Sequence, residues 1–362
     1  MQFQNIHLLS NDSLKTLIDC RFPNERAEII TKQLKYYILI NKSKVYEYSF
    51  DFVYYTEFEC NSDQLITIVS LYIEKSFKSL DKTDQDSLNY RLKNQNILSN
   101  RNITEYLPQI KTQLTNNTIN FSDHHFNQIN FRNGTYDIKT KLFRKRIFEK
   151  DFVSVYINRD YKKTTKTNRK NVIDVISKMY PKKDDRMYLL QTLGIALTGQ
   201  STIDQTMLFL LGVGESRKST IMSILKLAIQ NYMITLGRDT FSKGYAKTDK
   251  VLNSYKEKQY LRLTFINELS DSKMNDSLFK NFCDGNIQST SLYKDGSNDF
   301  KHFTKCIFAS NTFPNIKIDS GTQRRINSYE HKCRFVDDPK NVVESKGIYL
   351  KDKLLLTNLE NN

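Results

Sequence analysis

Long apolar runs are scarce in this chain of 362 residues: stretches such as Met207-Leu208-Phe209-Leu210-Leu211 stop far short of the roughly 18 residues that a bilayer crossing needs. A membrane-spanning helix is therefore not expected. The opening residues, Met1-Gln2-Phe3-Gln4-Asn5, hold neither a basic n-region nor an apolar h-region, so no secretory signal is expected and the protein should work in a reducing compartment. Cysteine is sparse: Cys20, Cys60, Cys283, Cys306 and Cys333 are odd in number, scattered and without a C-x-x-C pair, and the five histidines lack zinc-finger spacing. Neither a disulfide framework nor a structural zinc fits that pattern. Tryptophan is absent, yet 22 phenylalanines and 21 tyrosines contribute to a 39% hydrophobic, 26% charged composition that is globular rather than disordered. The length suits two or three domains.

Acidic residues are in deficit, with 40 Asp and Glu against 55 Lys and Arg, for a formal charge of +15. The imbalance is regional. Residues 1–100 hold 12 basic and 13 acidic side chains, residues 101–250 hold 26 and 13, and residues 251–362 hold 17 and 14. Its densest part runs from Lys139 to Arg186 and includes Arg144-Lys145-Arg146, Lys162-Lys163, Arg169-Lys170 and Lys182-Lys183. Such a block is the footprint of a polyanion partner, usually nucleic acid, or else a solvated lysine-rich face.

Along the chain, a helix is read near Asn24–Gln33, followed by a β-hairpin in which Lys35–Ile40 and Val45–Tyr48 flank Asn41-Lys42-Ser43-Lys44. Leu65, Ile66, Val69, Ile73, Phe77 and Leu80 recur at three and four, which predicts a helix over 63–80. Another helix is expected near Ile103–Leu114 despite Pro108. Between Ile129 and Tyr161 the pattern is strand-like, with corners at Asn133-Gly134 and Lys139-Thr140-Lys141. Lys162–Lys170 reads as a linker, and a helix follows from about Asp185 to Leu197.

The chemistry is concentrated after residue 205. The apolar run Met207–Leu211 leads into Gly212-Val213-Gly214-Glu215-Ser216-Arg217-Lys218-Ser219-Thr220, and Ile221, Ile224, Leu225 and Ala228 then follow a helical period. Strand, glycine-bearing loop and helix is the context of a phosphate-binding loop, in which backbone N–H groups surround the phosphates, a lysine (Lys218) reaches them and a hydroxyl (Ser219) holds Mg²⁺. Arg217 stands where G-x-x-x-x-G-K-[ST] has its second glycine. Two further apolar strands, Leu261–Ile266 and Cys306–Ala309, are consistent with a mostly parallel sheet covered on both faces. Glu268 closes the first, where an NTPase keeps a base for the attacking water; Asn311 follows the second, where an amide can meet a γ-phosphate. Arg324 and Arg325 lie 13 and 14 residues beyond Asn311. Between the strands, Ser289–Tyr293 and Asn298–Phe303 flank Lys294-Asp295-Gly296-Ser297, a hairpin with Lys294 near its tip and Lys301 on its second arm. Taken singly, each of these residues could equally be a surface group or a salt-bridge partner.

In this order, the motifs resemble those of a superfamily 3 helicase, and more closely the primase–helicase family of large nucleocytoplasmic DNA viruses, related to bacteriophage primase–helicases. Ile266–Leu269, Phe282–Gly285, Leu292–Gly296, Ala309–Asn315 and Asp319–Arg325 carry the likeness, with Ile129–Asp137, Asp151–Val153 and Leu193–Gly199 upstream. The resemblance covers residues 120–335 well and 1–119 weakly. It implies a P-loop NTPase fold of the AAA+ kind and an ATP- and Mg²⁺-dependent DNA helicase or translocase in viral genome replication, acting in the host cytoplasm. It also implies a ring, usually a hexamer, with an ATP site at each subunit boundary and single-stranded DNA in the pore. On this sequence the family's roles fall on Lys218 (phosphates), Ser219 (Mg²⁺), Glu268 (water), Asn311 (γ-phosphate sensor), Arg325 with Arg324 beside it (finger in trans) and Lys294, with Lys301 beyond it, for DNA.

The expected organisation is a mixed helical and hairpin region over 1–119, a basic segment with collar helices over 120–200, the ATPase domain over 201–335 and a short extension over 336–362. Residues 1–119 offer no paired acids for a primase, so that activity is not expected of this chain, and a separate primase or polymerase is the expected partner. Family members continue further than the 37 residues that follow Arg325 here. Two other functions stay open at this point: a non-hydrolysing subunit that binds single-stranded DNA or oligomerises, and an ATP-dependent machine acting on protein or RNA.

Overall fold

The computed structural model describes residues 8–20, 22–49, 54–86, 88, 100–119, 126–147, 151–212, 214, 216, 218–245, 248–256, 258–268, 273–290 and 297–360. The chain forms two compact units, one from 1–121 with 146–154, the other from 122–145 with 155–362.

In the first unit, α1 (Asn11–Asp19) and α2 (Pro23–Leu34) precede an antiparallel sheet of β1 (Ile38–Asn41), β2 (Lys44–Ser49) and β3 (Tyr54–Phe58), followed by α3 (Ser62–Lys78) and α4 (Asn100–Leu114). The predicted hairpin closes through Lys42 and Ser43, both at positive φ (48° and 68°), the conformation of a two-residue turn whose twist matches the strands. The start of α3 is fixed by reciprocal bonds: the Asn61 side chain accepts from the Gln64 N–H, and the Gln64 side chain accepts from the Asn61 N–H. Its predicted apolar stripe, Leu65, Ile66, Val69 and Ile73, is buried with Leu14, Ile30, Tyr106 and Ile110 from the other helices. Pro108 lies inside α4, as expected.

The second unit opens with a small antiparallel sheet, β4 (Gln128–Phe131), β5 (Gly134–Asp137) and β6 (Leu142–Arg144), turning at the two predicted corners. The stretch read as a linker is partly helical: α5 (Lys166–Met179) begins inside it, because the Thr165 side chain caps the Asn168 N–H and Val172, Val175 and Ile176 supply an apolar face. Next come α6 (Lys183–Thr198), β7 (Met207–Leu211), α7 (Lys218–Ile229), β8 (Met233–Leu236), α8 (Thr248–Asn253), β9 (Leu263–Asn267) and α9 (Asp276–Cys283). The hairpin β10 (Asn286–Thr290) and β11 (Ser297–Lys301), then β12 (Lys305–Ser310), α10 (Ser320–Gln323) and β13 (Ile326–Glu330), complete the central part. Beyond it lie β14 (Arg334–Val336), β15 (Ile348–Leu350) and α11 (Leu355–Glu360).

The core of this unit is a five-stranded sheet in the order β13-β7-β12-β9-β8, every pair parallel. Its strands alternate between two apolar layers. Leu208, Leu210, Phe265, Ile307 and Ala309 pack on one side with Met179, Leu189 and Ala196; Met207, Phe209, Ile266 and Phe308 pack on the other with Tyr255, Phe279 and Phe282. Burial on both faces explains why these strands read as continuous apolar runs. Arg262, 1% exposed, ties the small sheet and α6 to β9: its guanidinium donates to the carbonyls of Leu197, Tyr260 and Gln128 and lies over the Tyr232 ring. Burial lowers its pKa to about 10, and those carbonyls compensate the charge.

Two buried histidines in this unit are held neutral. His302, with Nε2 2.9 Å from the Phe282 carbonyl, is pushed down to about 3 by burial; His331 is pushed down to about 4 by burial and by the Lys218 ammonium. Because both values lie below the unfolded pKa, the stability they preserve is complete above about pH 6.5 and is lost as pH falls toward the folded values. Between pH 6 and 5, denaturant unfolding should show a loss of about 1.4 kcal/mol per pH unit for each histidine, and His302→Gln should remove about half of that slope.

Candidate functional site

The parallel register sets three chain segments side by side at one edge of the sheet. Ser310 at the end of β12 pairs with Leu211 of β7, and Ala309 pairs with Asn267 of β9. Gly212, Glu268 and Asn311 therefore leave the carboxyl ends of adjacent strands together. In open α/β sheets, that edge is where ligands bind.

The loop from Gly212 leads into α7, whose first residue is Lys218. Val213, Glu215 and Arg217 lie outside the described residues; Gly214 is exposed and Ser216 is buried. Gly212 has φ +144°, and a Cβ there would stand 2.7 Å from the His331 carbonyl oxygen. The close approach of the β13 end requires glycine at this position. His331 donates its N–H to the Leu211 carbonyl at 2.7 Å, and its Nε2 lies 3.1 Å from the Tyr180 hydroxyl. The loop thus rests on a buried, uncharged shelf.

Lys218 is 9% exposed, and its ammonium donates to the Gly212 carbonyl, to Ser216 Oγ at 3.0 Å and to Asn311 Oδ1 at 3.3 Å. Burial lowers its pKa, while the Cys333 thiol and the Glu268 carboxylate act in the opposite direction. The ammonium thus has neutral oxygens among its acceptors and stands at a helix N-terminus, an arrangement suited to anionic oxygens. Ser219 is exposed and Thr220 half-buried, both in the first turn of α7.

Glu268 follows β9 with φ +54°, a left-handed conformation that costs a non-glycine residue roughly 1–2 kcal/mol. The Ala309 carbonyl holds it there by accepting its N–H at 2.7 Å. Its side chain is exposed. Backbone strain next to Lys218 and Asn311 is the pattern expected where a carboxylate must be aimed.

The two arginines differ sharply. Arg324 is exposed, 3.4 Å from Gln205 Oε1. Arg325 is 6% exposed: Nε and Nη2 grip the Asp284 carboxylate at 2.7–3.1 Å, and Nη1 donates to the Gly321 carbonyl. The short α10 that precedes both is fixed by Asp319, which accepts from the Thr322 N–H and from Lys280 Nζ at 2.7 Å; these bonds, led by Lys280, hold its carboxyl well below the usual range. The hairpin arms pair from Asn286↔Lys301 to Thr290↔Ser297, with Lys301 exposed. Lys294 lies outside the described residues.

Lys218, Asn311 and Glu268 thus share one edge, whereas Arg325 is committed within its own chain. Asp284 and His331 gained no role from the sequence. Asp284 lies within Phe282–Gly285, but its pairing across 41 residues, like the β7–β13 register beside His331, is a tertiary fact. Among the described residues, no group of three or more His, Cys, Asp or Glu could hold a metal ion, and no helix is long and apolar enough to cross a membrane.

Residues 25–181 match the family model described as D5 N terminal like. Primase D5 of Fowlpox virus (strain NVSL) is 27% identical over 308 residues, covering 81% of this chain. The chain spans about a third (36%) of the length of that curated relative. Among solved structures, apo forms of the NrS-1 C terminal region align over 90% of this chain and 63% of theirs, at 12% identity with TM-scores of 0.46 and 0.45. In sequence the chain is thus similar to a D5 N terminal like region and to a poxvirus Primase D5.

Proposed function

We propose that the chain is an ATP-dependent DNA helicase or translocase subunit, with the P-loop NTPase fold, acting in viral DNA replication in the host cytoplasm. The observation that carries this reading is the ammonium of Lys218, buried at the carboxyl edge of a parallel sheet and bonded to loop acceptors and to Asn311. The residues fit ATP with Mg²⁺. Lys218 supplies the cation for the phosphates, Ser219 an accessible hydroxyl for the metal, and Gly212 to Thr220 the helix-terminal loop. Bound there, Mg²⁺ and ATP supply a phosphoryl group with its charge partly neutralised. Lys218 exchanges its loop acceptors for phosphate oxygens, Asn311 is released to hydrogen-bond the γ-phosphate, and Glu268 orients the attacking water.

The ring is part of the same proposal. On and beside α6, Met187, Tyr188, Ile195 and Ile203 are 41–75% exposed, an apolar surface suited to a second copy of this chain. In such a ring we assign the contact made in trans to Arg324, with Arg325 as its intrachain anchor, and DNA contact to Lys294 and Lys301. Arg217, in place of the second loop glycine, favours the other reading, a subunit that binds single-stranded DNA without hydrolysis. Titration calorimetry with Mg²⁺ and a non-hydrolysable ATP analogue tests the nucleotide site. One nucleotide per chain, lost in Lys218→Ala, is expected; no binding, or binding indifferent to that substitution, would overturn it.

A further inference from the structure

The small sheet β4–β6 carries a cluster of rings that the nucleotide site does not use. Tyr136 and Phe143 are cross-strand partners on one face, and Tyr161 stacks on both, at 4.8 Å and 15° from Phe143 and 5.1 Å and 26° from Tyr136. Phe131 meets the edge of Tyr161 at 5.2 Å. All four residues are only half-buried.

The returning segment that delivers Tyr161 is clamped. Its N–H donates to Asn133 Oδ1 at 2.8 Å, Asn133 Nδ2 donates back to its carbonyl, and the Arg132 N–H donates to the Arg159 carbonyl. Lys162 and Lys163, both exposed, follow directly, and Lys141 and Arg144 project exposed from the neighbouring corner and strand. The nearby acids are engaged: Asp160 is paired with Arg132 at 2.8 Å, and Asp137 accepts from the N–H and hydroxyl of Thr140. The result is a rigid aromatic stack with a cationic margin.

We propose that this face is a second contact for single-stranded DNA, with bases stacking against the Tyr136–Tyr161–Phe143 rings and phosphates meeting Lys162 and Lys163. Stacking on aromatic rings beside a basic track holds a single strand without reading its sequence. The proposal shares the DNA partner with the function above but needs neither nucleotide nor hydrolysis.

The test uses the full chain without nucleotide, in the Lys218→Ala background, and a fluorescent oligothymidine. Lys162→Ala/Lys163→Ala should lower the slope of log affinity against log salt by about 1.4, from two lost phosphate contacts. Tyr161→Leu, which keeps an apolar group over the sheet, should weaken binding about tenfold with an unchanged slope. Photocrosslinking with 5-iododeoxyuridine oligonucleotides should label peptides containing Tyr136, Phe143 or Tyr161 in the unsubstituted sheet. Unchanged affinity and slope in the lysine variant, or crosslinks confined to other peptides, would overturn the proposal. Either result leaves the ATPase reading to its own test.

Discussion

Glu268→Gln is expected to reduce ATP turnover by about a thousandfold while leaving nucleotide affinity within a factor of two or so. The substitution keeps the shape of the side chain and its left-handed backbone, held by the Ala309 carbonyl, and removes only the ability to take a proton from water. Lys218 and Asn311, which do the binding in this account, are untouched. Pre-steady-state quench experiments with radiolabelled ATP would check this. Loss of binding would make Glu268 a structural residue, and retained turnover would move the base elsewhere.

Arg325→Ala and Arg324→Ala should fail in different ways. The Arg325 guanidinium is buried against Asp284 and the Gly321 carbonyl, so its removal leaves a partly buried carboxylate without its counter-ion. Breaking such a pair costs about 3 kcal/mol, discounted for the 26% exposure of the Asp284 side chain, and should appear as a lower denaturation midpoint. Arg324 is exposed, and its loss should change stability by less than about 0.5 kcal/mol. In an assembled ring it should nonetheless lower turnover by about a thousandfold, the effect of removing an arginine that stabilises phosphoryl-transfer charge. Equal stability losses in the two variants would contradict this division.

Where local signals are strong, sequence and structure agree closely. The three-and-four spacing of Leu65, Ile66, Val69 and Ile73 marks the buried stripe of α3, and Asn133-Gly134 marks a true corner. Met207–Leu211 reads as a strand buried on both faces and is one. The Lys162–Lys170 stretch reads as a linker because its charge masks the start of a helix whose cap, Thr165, is a single hydroxyl. For the site, glycine, lysine and strand-end polar residues can be found in one dimension. What holds them cannot: Asp284 reaches Arg325 through tertiary packing, and Gly212 is explained only once β13 brings His331 alongside. The pairing of Arg325 is also why its proposed role passes to Arg324.

The proposed function depends on ATP hydrolysis by the loop ending in Lys218, although Arg217 replaces its second glycine. Steady-state ATP hydrolysis, measured with and without single-stranded DNA for the natural chain, Lys218→Ala and Arg217→Gly, addresses it directly. Turnover is expected in the natural chain, rising with DNA and disappearing in Lys218→Ala. Absence of turnover in the natural chain, with its appearance in Arg217→Gly, would contradict it and identify a DNA-binding subunit whose loop no longer performs the chemistry.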